Sequence, residues 1–333
     1  MQRKIRTYLL IVCMVLCSWV QAQQLSETAR ISLITCTPGE ELYARYGHTA
    51  LRVCDPENDV DIAFNYGIFD FNTDHFYWKF IKGETWYELG ATPFWWFMRE
   101  YNETYRPVYE QILNLNYDQR NALWQALVTN YQPQNRKYLY NFVFDNCATR
   151  PYKMLMTVLE ADSDTFYSSY VGAEGMTYRA FIRHYTPAGS WADFGINLLF
   201  GRKADQPMHG EERLFLPEEL MFYISGMTDA QGNPLVLSET VHPFEIKPVP
   251  WYATSYFGLA LLFVLLAALS LYDRKRGKRT RWVDYMLYGV YALLLVLVAF
   301  LTFFSCHPLV GFGWRLFIIP LIHLCARIVY IYR

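Results

Sequence analysis

The sequence predicts an α+β domain followed by a helical module that spans a membrane. Short alternating apolar segments are interspersed with helical segments over residues 23–250, and this mixture favours an α+β fold. Residues 251–333 are apolar apart from one basic cluster, as membrane-spanning helices are. Near residue 1, basic residues precede an apolar run, which is the pattern of exported proteins.

The composition limits the kinds of partner. A chain of 333 residues has room for one ordinary domain and a smaller module. The formal net charge is −1, whereas nucleic-acid-binding domains carry a strong positive excess, so we predict no nucleic acid partner. The sequence contains no internal repeat, no phosphate-binding loop and no serine elbow.

Residues 1–22 are predicted to be a signal peptide that is cleaved on export. Three basic residues precede the apolar run at residues 8–20, and Ala22 lies where a signal peptidase requires a small residue. The run is short for a membrane span, and an uncleaved anchor is the alternative.

Residues 254–271 and 283–304 are each long and apolar enough to cross a bilayer of about 30 Å as helices. A third, weaker span is predicted at residues 309–331. The loop at residues 274–281 is strongly basic, so the positive-inside rule places it in the cytoplasm and the large domain outside. We therefore expect a multi-pass protein of the inner membrane, with residues 23–250 in the periplasm and residues 251–333 as the membrane module. A Gram-positive cell surface is the alternative.

The cysteines that follow the signal are odd in number, in a compartment that favours disulfides. They are Cys36, Cys54, Cys147, Cys306 and Cys325. At least one thiol must therefore stay unpaired. A disulfide between Cys36 and Cys54 is one alternative, and it would leave Cys147 free. Zinc ligands usually occur in close pairs, so Cys36, His48 and Cys54 do not indicate a metal site, and we predict no cofactor.

Turn residues separate the predicted elements of the outer domain. Strands are predicted at residues 31–35, 48–54, 62–66 and 137–144, and helices at residues 117–130, 178–185 and 217–224. A further helix runs to Leu159 and can be capped by Asp145 or Asn146. The aromatic segment PFWWFM at residues 93–98 has two interpretations, core packing or an amphipathic element in the membrane interface.

The residues that carry chemistry are a histidine on a strand and a cysteine at the start of a helix. His48 begins the second predicted strand, and Cys147 follows the predicted cap. A thiol in the first turn of a helix feels the positive end of the helix dipole, so we expect Cys147 to be a thiolate. Histidine before cysteine in chain order is the arrangement of permuted papain-like enzymes. We therefore predict a permuted papain-like domain with Cys147 as the nucleophile and His48 as its base.

A catalytic triad needs a third polar group that orients the imidazole. Asn65, on the neighbouring predicted strand, is the first candidate, and Asp61 is the alternative. Cys306 and His307 form a rival pair, but residues adjacent in sequence rarely converge on one substrate atom, so we interpret them as part of a loop.

Several groups are candidates for binding the substrate or a developing oxyanion. The backbone amide of Cys147 and the side chain of Tyr43 are the candidate oxyanion donors, and Asn146 and Arg150 complete the set. Arg150, Arg99 and Arg315 are also candidates for a phosphate contact, although solvated or snorkelling side chains are the simpler interpretation of each.

Six segments together resemble the Lnb family. They are residues 33–39, 43–53, 64–71, 111–115, 140–151 and 191–195, and they include the Gly-His and Asn-Cys motifs. Members of this family pair an N-terminal periplasmic domain with a C-terminal helical membrane module, and the resemblance covers nearly the whole chain after the signal. The Gly-His and Asn-Cys segments are also similar to lecithin retinol acyltransferase, which implies a fold of that type. Two features depart from the family: its membrane module is usually longer, and alanine follows Cys147 where threonine is common.

The resemblance implies a reaction and its partners. Members of the Lnb family are described as lipoprotein N-acyltransferases. Cys147 would then take an acyl chain from a membrane phospholipid as a thioester, and the acceptor would be the α-amino group of a diacylglyceryl-cysteine lipoprotein. A papain-like cysteine hydrolase of peptidoglycan peptides or lipids is one alternative, and a non-catalytic membrane-tethered binding protein is another.

Overall fold

An antiparallel sheet organises the outer domain. The computed structural model describes residues 24–41, 44–69, 74–162, 165–237, 241–311 and 313. The strands of the sheet are β1 Arg30–Cys36, β2 His48–Asp55, β3 Val60–Ile68, β4 Trp86–Pro93, β5 Val108–Ile112 and β6 Lys137–Leu139. In the described residues their order is β5-β1-β2-β3-β4-β6, and each neighbouring pair is antiparallel. The predicted strands at residues 31–35, 48–54 and 62–66 are thereby confirmed.

Helices cover both faces of the sheet and extend the domain at one side. Those of the described residues are α1 Phe76–Lys82, α2 Phe94–Glu103, α3 Tyr117–Tyr131, α4 Thr149–Ala161, α5 Tyr178–His184, α6 Trp191–Leu199, α7 Pro217–Ser225, α8 Ser255–Arg276 and α9 Arg281–Phe304. Short 3-10 helices lie at Pro56–Asn58, Arg202–Asp205, Gly210–Arg213 and Trp251–Ala253, and a small sheet pairs β7 Phe166–Ser168 with β8 Met227–Asp229. The predicted α+β class is confirmed at this level.

Strand alternation assigns the buried side chains of β2 and β3 to two of the three core clusters of the described residues. Leu51 and Phe64 point to the face covered by α3 and α4, where they pack with Leu123. Ala50 points to the opposite face and packs with Phe97 of α2. Successive side chains of a strand face opposite sides, so β2 and β3 each contribute to both clusters. Any residue on these strands can therefore be assigned to one face.

The PFWWFM segment begins α2 and contains both buried and exposed aromatic side chains. Phe97 is buried in the core, whereas Trp95 and Trp96 are exposed. The predicted strand at residues 137–144 is shorter than expected: β6 ends at Leu139, and a tight turn bridged by Asn141 and Asp145 follows.

The alternative of a disulfide between Cys36 and Cys54 is wrong. In the β1–β2 register, Cys36 lies opposite His48, and Cys54 lies opposite Arg30. The two cysteines therefore occupy opposite ends of the strand pair, beyond the reach of a disulfide, and both are free.

Among the described residues, two helices, α8 and α9, are long and apolar enough to cross a membrane. Their apolar side chains are largely exposed, unlike those of a core helix in a soluble protein. Gly277 adopts a left-handed conformation that ends α8 within the basic segment at residues 274–281. The predicted spans at residues 254–271 and 283–304 are thus found as helices. The predicted signal peptide lies outside the described residues, as does most of the third predicted span.

Candidate active site

The site begins with an imidazole held by an amide. His48 is the first residue of β2, and its Nε2 lies 2.5 Å from Oδ1 of Asn65 on β3. An amide oxygen can only accept, so Nε2 carries the hydrogen and Nδ1 carries the free lone pair. The alternative partner, Asp61, lies opposite Cys54 at the other end of the strand pair and is bound to Arg52. The imidazole is therefore oriented by Asn65.

Burial keeps this imidazole neutral. It lowers the pKa of His48 to about 4, the hydrogen bond to Asn65 opposes that shift, and the positive charge of Arg106 adds to it. Near neutral pH His48 is thus uncharged, and its Nδ1 is able to accept a proton.

Asn146 fixes the backbone around Cys147. Its Oδ1 accepts hydrogen bonds of 2.9 Å from the amides of both Ala148 and Thr149, at the start of α4. Its Nδ2 donates to the carbonyl oxygens of Phe142 and Phe215, at 2.8 and 2.7 Å. Asn146 is 1 % exposed, and both of its amide hydrogens are used in this way. Asn146 thus binds the amides at the start of this helix, although the N-cap position itself is Ala148, which makes no side-chain cap bond.

Arg150 is held in an ion pair beside the site. Its guanidinium binds both carboxylate oxygens of Asp145, each at 2.7 Å, and lies 3.6 Å above the ring of Tyr138. Arg99 is likewise paired, with Glu103. Tyr43 and Arg315 lie outside the described residues.

His48 and Cys147 come together at Gly67, which follows Tyr66 on β3. A Cβ placed on Gly67 would lie 3.8 Å from Cε1 of His48 and 3.9 Å from Cβ of Cys147. Because Gly67 has no side chain, the imidazole and the thiol share the space at the end of the β2–β3 ladder.

Gly67 also interrupts the sheet. The β3–β4 register shifts between Tyr66 and Ile68, and Gly67 has a φ of 108°, which L-residues rarely adopt. Sequence reasoning did not assign a role to this glycine, because its importance lies in the space that it leaves open.

The Cys147 thiol is buried and neutral at rest. It is 8 % exposed, and burial raises its pKa to about 11, although the backbone amides of Thr49 and of Cys147 itself oppose this by pointing at the sulfur. The expectation of a thiolate is therefore wrong, because desolvation outweighs the stabilisation offered by the helix start. The resting site is a neutral thiol beside a neutral imidazole.

Three tyrosines lie near the thiol. Burial raises the pKa of Tyr87, Tyr138 and Tyr140. The negative charge that Cys147 would carry as a thiolate raises these pKa values further. The rings of Tyr87 and Tyr140 stack with centroids 4.2 Å apart. The hydroxyl of Tyr138 is buried and has no hydrogen-bond partner within the described part of the chain. Buried polar groups are almost always bonded, so an unpartnered hydroxyl at this position is unusual.

The rival pair, Cys306 and His307, serves a different purpose. The backbone amide of Cys306 donates to the carbonyl of Lys82 at 2.7 Å, and Nε2 of His307 lies 3.1 Å from the carbonyl oxygen of Phe80. These residues attach the loop after α9 to α1, in agreement with their interpretation as a loop.

Comparison with protein families identifies two regions. The family model of the Lnb N-terminal periplasmic domain matches residues 16–184, about half of the chain, and that of the Lnb transmembrane domain matches residues 251–333. His48, Asn65 and Cys147 all lie in the first match. Searches of curated proteins and of solved structures give no match.

Proposed function

The chain belongs to the Lnb family, and on this premise we propose that it is a lipoprotein N-acyltransferase in which Cys147 carries the acyl chain. Family membership indicates a membrane protein of lipoprotein maturation. The observation that carries the proposal further is the convergence of the Asn65-bound imidazole of His48 with the thiol of Cys147 at Gly67. A base held by an amide, next to a nucleophilic thiol, is the arrangement of papain-like acyl transfer.

In the proposed organisation, residues 1–22 are the signal peptide and residues 23–250 form a permuted papain-like, lecithin retinol acyltransferase-like domain in the periplasm. Residues 251–333 form the module of about three spans in the inner membrane. The basic end of α8, where Arg274 and Arg276 lie, supports a cytoplasmic position for the loop that joins the spans.

The first half of the reaction forms a thioester. The sulfur of Cys147 attacks the ester carbonyl of a phospholipid while Nδ1 of His48 takes the thiol proton, because neither group is charged at rest. The negative charge on the carbonyl oxygen is received by the amide of Cys147 and the hydroxyl of Tyr138. The C–O bond then breaks, and the lysophospholipid leaves with the proton from His48.

The second half transfers the acyl chain to an amine. The neutral α-amino group of a diacylglyceryl-cysteine lipoprotein attacks the thioester carbonyl, and His48 accepts the proton that the amine loses. The C–S bond breaks as the amide forms, and the proton passes to the sulfur to restore the thiol. Asn65 and Asn146 act as positioning residues, the first for the imidazole and the second for the backbone of Cys147.

Burial of the site favours an amine acceptor over water. Cys147 is 8 % exposed and lies near three tyrosines, so a thioester on its sulfur is shielded from bulk solvent. Both substrates are anchored in the bilayer by their own acyl chains, and the apolar helices α8 and α9 hold the domain at the same surface. A hydrolase of soluble peptides would not need either feature.

An acyl-adduct experiment tests the proposal. The full chain in nanodiscs is incubated with a phospholipid that carries a labelled acyl chain, and mass spectrometry locates the label. We expect one acyl group on Cys147, none after Cys147→Ala and strongly reduced labelling after His48→Ala. Cys54→Ala is the matched control, since it removes a free thiol at the far end of β2.

A chase with a diacylated lipopeptide then tests the acceptor. The label is expected to move to the N-terminal amine of the lipopeptide. Loss of the label to water at the same rate with and without lipopeptide would instead identify a hydrolase. If no adduct forms on Cys147 and neither variant alters lipoprotein N-termini in cells, the protein acts by binding alone.

A further inference from the structure

Helix α1 exposes several large apolar side chains to solvent. Of its residues, Phe76 is buried in the core. The exposed fractions are 74 % for Tyr77, 54 % for Trp78, 47 % for Phe80 and 39 % for Ile81. A contiguous exposed apolar surface of this kind marks a contact with another protein or with a membrane.

The position of α1 is fixed by the outer end of α9. The ring of Trp78 packs against Phe300 with centroids 5.1 Å apart. The C-terminal end of α1 accepts a 2.7 Å hydrogen bond from the amide of Cys306, just after α9 ends. Both contacts hold α1 beside the helix that crosses the membrane.

The contact with Phe300 gives the depth of α1. Phe300 lies four residues before Phe304, the last residue of α9. At about 1.5 Å per residue, Trp78 is therefore roughly 6 Å below the outer end of the span. Helices that lie in the membrane interface bury their apolar face about 5–10 Å into the boundary between headgroups and acyl chains.

The other span carries aromatic residues at its own outer end. Trp251, Tyr252 and Tyr256 surround the start of α8 and are all more than 60 % exposed. Trp191 packs against α8 so closely that a Cβ on Gly258 would lie 2.6 Å from its ring. Tryptophan and tyrosine prefer the membrane–water interface. The outer ends of α8 and α9 thus mark the level of the membrane–water interface, and α1 lies at this level.

From this placement we propose that α1 is an interfacial helix seated in the outer leaflet, and that its partner is the phospholipid surface itself. Tyr77 and Ile81, one turn apart, lie among the acyl chains near the headgroups. Lys79 lies on the other side of the helix, where lipid phosphates are within reach, whereas Lys82 is paired with Glu84. A membrane contact accounts for the aromatic composition and for the depth together, whereas a protein partner would account for the composition alone.

Aromatic contacts connect α1 to the candidate active site. Phe76 stacks on Phe69 at 5.8 Å, Phe69 packs on Tyr87 at 5.0 Å, and Tyr87 stacks on Tyr140 next to Cys147. Four rings in succession therefore connect α1 to the neighbourhood of the thiol. The use of this surface to supply an acyl chain to Cys147 rests on the proposed function, but the membrane contact does not.

Photocrosslinking tests the contact directly. The full chain is placed in nanodiscs with a phospholipid whose acyl chain carries a diazirine close to the ester. We expect adducts on the peptide that contains Tyr77 and Ile81, at a level comparable with the outer end of α9 around Phe300. Adducts on α9 without adducts on α1 would overturn the proposal, because α9 reports that the probe reached this depth.

Paired variants test the consequence for the site. Tyr77→Ser with Ile81→Ser is expected to lower acylation of Cys147 by bilayer phospholipid several-fold, while acylation by a short-chain, water-soluble thioester stays unchanged. Tyr167→Ser with Val171→Ser is the matched control, because it removes an exposed aromatic and an exposed aliphatic side chain four residues apart, on β7 and just after it. Equal losses in both pairs would overturn the assignment to α1.

The two proposals fail in distinguishable ways. If α1 is crosslinked as expected but neither donor acylates wild-type Cys147, the proposed function is wrong and the interfacial helix stands. If both donors acylate Cys147 but α1 is not crosslinked, the interfacial helix is wrong and the proposed function stands.

Discussion

His48 and Asn65 are joined by a 2.5 Å hydrogen bond, from Nε2 to Oδ1, at the end of the β2–β3 ladder. The bond selects one tautomer and leaves Nδ1 as the basic nitrogen. Because Nε2–H becomes a better donor when the ring is protonated, the bond strengthens as His48 takes a proton from Cys147. Asn65 therefore supports the imidazolium that forms during acyl transfer, as well as the orientation of the ring.

Asn65→Ala is expected to slow acylation of Cys147 by roughly 10- to 150-fold, since a hydrogen bond to a charged group contributes about 1.5–3 kcal/mol. The rate is measured by mass spectrometry of the acyl adduct in single-turnover conditions. Asp61→Ala is the control, because Asp61 binds Arg52 at the other end of the strands. An unchanged rate in Asn65→Ala would show that another group orients His48.

The main elements and the central pair could be predicted from the sequence, because local patterns encode them. The alternation of β2 and β3, the polar Asn146 at the start of α4 and the order of His48 before Cys147 are all readable along the chain. Asn65 could be named because a strand that neighbours β2 was expected to carry the third residue.

Other properties of the site depend on three-dimensional packing. The sequence pattern predicts a thiolate from the helix start, but it cannot report how deeply Cys147 is buried, and burial determines its protonation. The space beside Gly67 and the unpartnered hydroxyl of Tyr138 in the described structure likewise arise from residues distant in sequence. The disulfide alternative failed because it depended on strand register, which cysteine spacing does not determine.

Gly67→Ala is expected to abolish most acylation of Cys147. The methyl group would fill the space between His48 and Cys147, where it fits sterically but separates the two groups. The φ of 108° adds a strain of about 1–3 kcal/mol to folding.

Gly232→Ala separates these two effects. Gly232 has a φ of 87°, and a methyl group on it would meet no atom of the described residues within 4 Å, so this variant carries the backbone strain without touching the site. We expect both variants to lose a similar amount of thermal stability. Only Gly67→Ala is expected to lose acylation of Cys147. Full acylation in Gly67→Ala would show that the imidazole of His48 and the thiol of Cys147 do not react across the space beside Gly67.

The alkylation rate of Cys147 should report a neutral thiol. With a pKa of about 11, the thiolate fraction rises tenfold per pH unit through the neutral range, so the rate of iodoacetamide labelling should rise in the same way. A preformed thiolate–imidazolium pair would instead give a plateau across neutral pH, and the plateau would disappear in His48→Gln. Labelling is located by peptide mass spectrometry, since the exposed Cys306 also reacts.

His48 should give the stability of the outer domain a characteristic pH dependence. The pKa of His48 is lowered from 6.5 to about 4 by folding, so the unfolded chain binds a proton first as the pH falls. Stability is therefore lost between about pH 6.5 and 4, and this part of the loss should be absent in His48→Gln. Thermal unfolding of both proteins across this range measures the difference. A wild-type curve parallel to that of His48→Gln would contradict a neutral, buried imidazole.

Tyr138→Phe should separate catalysis from stability. The Tyr138 hydroxyl is buried without a partner in the described residues, and such a group costs about 1–3 kcal/mol, so its removal should leave the protein equally or more stable. If the hydroxyl donates to the oxyanion, acylation should nevertheless fall by roughly 10²- to 10³-fold. Tyr66→Phe is the matched control, because the Tyr66 hydroxyl donates to Oδ1 of Asn130 at 2.6 Å. That variant should lose about 1 kcal/mol of stability and little of the acylation rate. Unimpaired acylation by a stabilised Tyr138→Phe variant would show that backbone amides alone stabilise the oxyanion.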